Sequence, residues 1–176
     1  EEDYTVWWWF VVFACVFFCF KMSKRSLDRS IILMGILGVL ISTYALYVEM
    51  AADANPQYQA FCDLSPRVSC SKVLTSDFSK GFGLVTKGSA LEVPNCIYGI
   101  LFYCLMIIMT TYDNVTMVRL QFVAAVMSIV SCVYLAYLLI FVLQDLCIVC
   151  VSTYFVNFIL ATLIYKKMIF VVKKDT

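Results

Sequence analysis

Apolar residues fall into long runs separated by short polar breaks. The first strong run extends from about Ile31 to Val48, directly after Lys24, Arg25 and Arg29. A polar stretch over 49–95 follows, and then a second run at about 96–112. The polar turn 113–119 leads into a third, about 120–143. Gln144 and Asp145 interrupt the pattern before a fourth run, about 147–164, which Lys166 and Lys167 close. Runs of roughly 17–25 uncharged residues are long enough to cross a bilayer core as helices. The pattern predicts an all-α membrane protein, a four-transmembrane-helix bundle with a cap loop at about 49–95. Residues 5–20 are also apolar, but they follow Glu1, Glu2 and Asp3 rather than a basic segment, which argues against a cleaved signal peptide. Residues 1–21 read as an N-terminal extension or extra anchor with no catalytic part. Residues 22–170 form the four-span catalytic domain and 171–176 a tail.

Composition agrees: 63% of the 176 residues are hydrophobic and 14% charged, where a soluble domain is about half apolar. Basic residues near span ends orient the chain. Lys21, Lys24, Arg25 and Arg29 belong in the cytosol, as do Lys166, Lys167, Lys173 and Lys174, and four crossings put both clusters on one side. The 49–95 loop and the 144–145 turn then share the lumenal side. Lys173 and Lys174 stand at the third and fourth positions from the end, as in a dilysine retrieval signal, which predicts a multi-pass endoplasmic reticulum membrane protein; the alternative is a snorkelling basic flank. The sequon Asn114-Val115-Thr116 falls on the cytosolic side, where it is not glycosylated.

A net charge of +1 makes no case for nucleic acid, and the absence of histidine removes Ser-His-Asp and Cys-His catalysis and the common zinc and haem sites. Nine cysteines make sulfur the first candidate for chemistry. Cys15, Cys19, Cys104 and Cys132 lie within apolar segments, where a thiol behaves as a small hydrophobe, and Cys96 reads the same way. Cys62, Cys70, Cys147 and Cys150 all fall on the lumenal side, which permits disulfides.

Cys147-Ile148-Val149-Cys150 stands at the start of a predicted helix, where unpaired N–H groups favour a thiolate. A spacing of three brings both sulfurs to one face, suited to an exchangeable disulfide. A four-sulfur zinc site with Cys62 and Cys70 and a pair of inert core cysteines are the alternatives. The Gln144–Asp145 break and the loop spacing speak against them. Cys62 and Cys70 either form a staple worth roughly 2–3 kcal/mol or shuttle electrons to the first pair; spacing leaves both open. Positions 147, 150, 154 and 157 share a helical face, so Tyr154 and Asn157 follow the dithiol inward. They either hydrogen-bond the oxygens of a bound quinone or join helices as polar contacts.

Several segments together resemble the vitamin K epoxide reductase family, over about 26–167. They are LISTYALYVE (40–49), FCDLSPRVSCS (61–71), GFGLV (81–85), PNCIYG (94–99), VYLAY (133–137) and DLCIVCVSTY (145–154). The resemblance implies a four-helix bundle enclosing a quinone pocket beneath a lumenal cap. It implies that Cys150 attacks the substrate, and that Cys147 resolves the intermediate and exchanges with Cys70, Cys62 being the other shuttle cysteine. Asn95 would hydrogen-bond a substrate oxygen, Tyr154 would contact substrate and warfarin-type anticoagulants, and Phe82 and Tyr98 would line the pocket. Vitamin K quinone or epoxide would be the substrate, with no tightly bound cofactor and no metal. Lumenal thioredoxin-like proteins would supply electrons. The sequence departs from the family pattern at Phe78, where many members have tryptophan, at Tyr98, where phenylalanine is usual, and in a shorter loop between Val85 and Asn95. Two other functions remain: a quinone-dependent oxidase that makes disulfides for lumenal folding, and a claudin-like four-span scaffold, which leaves the dithiol unexplained.

Overall fold

The computed structural model describes residues 23–175 apart from 56, 66, 84, 86–88 and 90–92. The N-terminal extension, with Cys15 and Cys19, and Thr176 lie outside the described residues. Four long helices dominate. Helix α1, Lys24–Ala54, starts at Ser23, whose hydroxyl accepts the Ser26 N–H. Helix α2, Cys70–Leu74, belongs to the cap. Helices α3, Asn95–Thr110, α4, Val115–Tyr137, and α5, Ile148–Asp175, complete the set. Helix α4 continues as a wider π-helical turn, Leu138–Leu143, and stops at Gln144, whose φ of 55° is left-handed. Among the described residues there is no strand, only isolated bridges such as Val68 to Leu146 and Lys80 to Pro94.

Among the described residues, three helical segments are long and apolar enough to cross a membrane: Lys24–Ala54, Val115–Leu143 and Ile148–Lys174. The second predicted span forms α3, apolar but only 16 residues long. At 1.5 Å per residue it covers about 24 Å, short of a 30 Å hydrocarbon core. Two boundaries differ from the sequence reading. Helix α1 continues beyond Val48 to Ala54, so Glu49 stands on the helix and not in the loop. Helix α5 runs past Lys166 and Lys167 through the expected tail to Asp175. In both cases backbone hydrogen bonding carries the helix past the end of its apolar stretch.

The buried face of α1 reads Leu27, Ile31, Gly35, Gly38, Ser42, Ala45 and Glu49, in steps of three and four. Its small residues let α3 approach closely. A Cβ on Gly38 would lie 2.4 Å from the Tyr103 ring, and one on Gly35 would lie 2.6 Å from Ile107. Helix α1 packs on α3 and α5, and α4 packs mainly on α5. Leu120, Val123, Met127, Val130 and Val133 remain exposed on α4, an apolar surface suited to lipid.

One end of the bundle is held by polar groups. Lys167, read from sequence as a solvated flank, is fully buried. Its Nζ forms an ion pair with Asp28 at 2.8 Å and donates to the Thr110 carbonyl at 2.8 Å, joining α5 to α1 and to the last turn of α3. Gln121 of α4 donates from Nε2 to the Met106 carbonyl and the Thr110 hydroxyl. The ion pair of Lys24 with Asp113, in the α3–α4 turn, belongs to the same end. The two basic clusters therefore share one end, and the cap and the 144–147 turn share the other.

Candidate active site

The site lies at the cap end. Cys62 and Cys70 are joined as a disulfide, so the cluster they make with Asp63 is no thiolate metal site. Asp63 organises the loop that this disulfide closes. Its Oδ1 accepts from the Ser69 hydroxyl and the Ser71 N–H, and its Oδ2 from the Ala60 N–H and the Ser71 hydroxyl. Burial pushes the Asp63 carboxyl up, but hydrogen bonds from Ser71, Ala60 and Ser69 outweigh it and hold it at about 2. Backbone pairing fixes this loop to the turn before α5: the Ser69 N–H donates to the Leu146 carbonyl and the Leu146 N–H to the Arg67 carbonyl.

Cys147 immediately precedes α5 and serves as its N-cap. Its carbonyl accepts the Val151 N–H at 3.0 Å, and its sulfur accepts the Cys150 N–H at 3.2 Å. A hydrogen bond from the Cys150 thiol, joined by the Cys150 and Val149 N–H groups, holds the Cys147 thiol below its ordinary value despite burial. The side chain is wholly inaccessible and packs in one cluster with Cys62, Cys70, Ala45, Val73 and Leu139. Cys150, one turn on, is half-buried.

It faces a cleft between α1, α3, the end of α4, α5 and the cap, enclosing ≈ 770 Å³ with its open mouth included. Its closed interior is only ≈ 130 Å³, so a drug-sized ligand would also occupy the open mouth. Leucines from α4, Leu74 and Phe78 supply apolar walls; Glu49, Ser79, Asn95, Cys96, Cys150, Thr153 and Tyr154 supply the polar atoms. Three of the expected site residues, Asn95, Cys150 and Tyr154, thus meet on one cavity. Cys147 stands behind Cys150, in the cluster that holds Cys62 and Cys70.

Asn95 has a second occupation that sequence did not reveal. Its Oδ1 accepts the Phe82 N–H at 2.8 Å and its Nδ2 donates to the Phe78 carbonyl at 2.8 Å. Those contacts hold a turn in which Gly81, Phe82 and Gly83 all have positive φ, 55°, 58° and 69°. Glycine adopts such angles freely; for Phe82 they cost about 1–2 kcal/mol. One amide hydrogen of Asn95 remains for a ligand. Phe82 and Tyr98 stack at 5.6 Å and are not among the cleft's lining residues. Asn157 donates to the Cys132 sulfur at 3.1 Å, joining α5 to α4, and is not part of the cleft.

Sequence reading missed Glu49 and Asp63 and took Cys96 for a passive hydrophobe. Cys96 donates from sulfur to Glu49 Oε2 at 3.3 Å, across the α1–α3 contact and beside the cavity. The available signal was register: Glu49 is the next position of the buried α1 face after Ala45.

The sequence that builds this site has counterparts among known proteins. The sequence profile of the vitamin K epoxide reductase family matches residues 29–165. The chain belongs to that family. Vitamin K epoxide reductase complex subunit 1 of Rattus norvegicus is 35% identical over 148 residues, covering 82% of this chain and 92% of the relative. The Mus musculus protein of the same name is 38% identical over 135 residues, covering 74% and 84%. The chain is therefore a membrane oxidoreductase of the vitamin K epoxide reductase type.

Proposed function

We propose that this vitamin K epoxide reductase family member reduces a vitamin K-type quinone, its epoxide, or both, in the cleft, using the Cys147–Cys150 dithiol. The carrying observation is that the two thiols meet but differ in access. Cys150 lines the cavity, while Cys147 is wholly inaccessible within the cluster that holds Cys62 and Cys70. One sulfur meets an apolar ligand and the other meets the source of electrons. The Cys150 thiolate attacks the ring carbon. Cys147 then attacks the Cys150 sulfur, and the carbon–sulfur bond breaks with its electron pair left on the substrate. Two thiols become one disulfide as quinone becomes hydroquinone, or as epoxide becomes quinone and water. Cys70 and Cys62 return two electrons from thioredoxin-like lumenal proteins, and no tightly bound cofactor takes part. Tyr154 and the free amide hydrogen of Asn95 steady the substrate oxygens, and warfarin-type inhibitors occupy the same cleft. The relatives' names, the apolar cavity wall and the N-cap position of Cys147 support this reading.

The membrane arrangement that suits it has four spans, with α3 crossing as a short helix tilted little and held by α1. The Lys24–Lys167 end then faces the cytosol and the cap faces the lumen of the endoplasmic reticulum. Common placement of the basic clusters at one end favours it.

Vitamin K epoxide turnover in isolated membranes supplied with dithiothreitol tests the reading. Cys150→Ala abolishes turnover. Cys62→Ala retains it, because a small thiol bypasses the shuttle, but loses it when a protein reductant replaces dithiothreitol. Normal turnover by Cys150→Ala overturns the mechanism.

A further inference from the structure

Glu49 is an acid in an apolar place. It is 2% exposed, on the face of α1 that otherwise carries small and aliphatic residues. Its Oε2 accepts the Cys96 S–H, and its Oε1 is buried without a hydrogen-bond partner. The carboxyl lines the same cavity as Cys150, Asn95 and Tyr154. The Ser79 hydroxyl, itself buried, approaches it from the cap as a weak donor short of full hydrogen-bond geometry. Lys80, the nearest cation, pairs with Asp53 one turn further along α1. A buried carboxyl oxygen without a full hydrogen bond, on a side chain that lines a cavity, costs free energy unless a small shift brings it a partner or a ligand. Cysteine holds one oxygen and so fixes the other's direction.

We propose that Glu49 carries the proton between the Cys150 thiol and the substrate oxygen. This rests on the quinone-reductase reading above and adds a catalytic group to it. Glu49 as carboxylate takes the Cys150 proton, leaving the thiolate. The thiolate forms a carbon–sulfur bond with the ring, and an electron pair moves onto the carbonyl oxygen. Glu49 returns the proton to that oxygen. Cys147 then attacks the Cys150 sulfur, the carbon–sulfur bond breaks with its electron pair left on the ring, and the Cys147 proton passes to the second oxygen. Glu49 is regenerated, and the two thiols have supplied both electrons and both protons. Among the described residues, the titratable and charged groups around it are Asp53 on α1, Lys80 in the cap and Cys96 on α3, with Cys150 and Tyr154 of α5 on the same cavity. Cys96 orients the carboxyl through Oε2 and is a positioning residue.

The test is turnover of a vitamin K quinone by full-length wild type and E49Q in membranes with dithiothreitol, across about pH 4–9.5, which spans the ordinary carboxyl and thiol values of about 4.3 and about 8.5. E49Q keeps the shape and one acceptor but cannot carry a proton. It lowers kcat by on the order of 10²-fold, leaves KM within about threefold, and loses the acid limb of the pH profile. Thermal unfolding in detergent reports whether E49Q is folded. If it is not, E49D decides: it keeps the acid but withdraws it by one methylene, and lowers kcat with the acid limb retained. A folded E49Q with wild-type kcat and pH profile overturns the proposal, as does E49D at wild-type kcat. Neither result touches the dithiol reading, which fails separately if wild type does not turn over.

Discussion

The two ends of the bundle both bury charged or strongly polar side chains in an apolar setting, and they use them differently. At one end Lys167 is fully buried with Asp28 beside it and the Thr110 carbonyl at its tip, while Gln121 binds Met106 and Thr110. None of these residues lines the cleft. At the other end Glu49, Asn95 and Cys150 line a cavity. The first arrangement satisfies cations with helix-end carbonyls and a carboxylate, so it fixes helix register. The second leaves polar atoms beside space that a ligand can fill. Buried polarity alone does not mark an active site; buried polarity with adjoining room does.

The largest test of this contrast is Lys167→Met. Removing the cation strands Asp28 in the bundle and costs about 3–5 kcal/mol, read as a lower thermal transition in detergent. The double variant with Asp28→Leu recovers most of it. Equal stability of the single variant and wild type would show that this end is no lock. Asn95→Ala comes next. It releases the Phe82 N–H and the Phe78 carbonyl and so destabilises the cap turn by about 2 kcal/mol. Adding Phe82→Gly, which removes the cost of positive φ, recovers part of that stability but no substrate affinity. Full recovery of both by Phe82→Gly would mean that Asn95 serves the cap alone.

The smallest effect belongs to Asp63→Asn, at about 1–2 kcal/mol from weakened hydrogen bonds in a partly solvated loop. The folded carboxyl stands at about 2, below its ordinary 3.8. Its stabilisation is thus complete above about 3.8 and is lost as pH falls through about 2. The difference in thermal transition between wild type and Asp63→Asn, read in detergent at each pH, closes in that window. A difference that persists unchanged at pH 2 would assign the effect to shape and not charge.

Much of the site was legible because it follows from short-range rules. Cys147 and Cys150 had to share the start of a helix once Gln144 and Asp145 broke the apolar run. Tyr154 had to follow on the same face. Glu49 and Lys167 were misread for one reason: composition at a span's end signals solvent, whereas register continues the buried face. Lys167 falls in step with Leu160, Leu163 and Ile164, all of them buried. Asn95 was placed at the site's mouth by family likeness, but its hold on Phe82 depends on a turn that no spacing rule predicts.

Local chemistry in the chain determined the helices, the common end of the basic clusters and the dithiol at a helix start, because each depends on residues within a few positions of one another. Tertiary structure alone decided which polar groups close on one another and which face a cavity. Cys96 meets Glu49 across 47 positions, and Lys167 meets Thr110 across 57. Such distant pairings arise only when whole helices pack. Packing also set the access of the two thiols, placing Cys150 on the cavity and burying Cys147 in the cluster with Cys62 and Cys70.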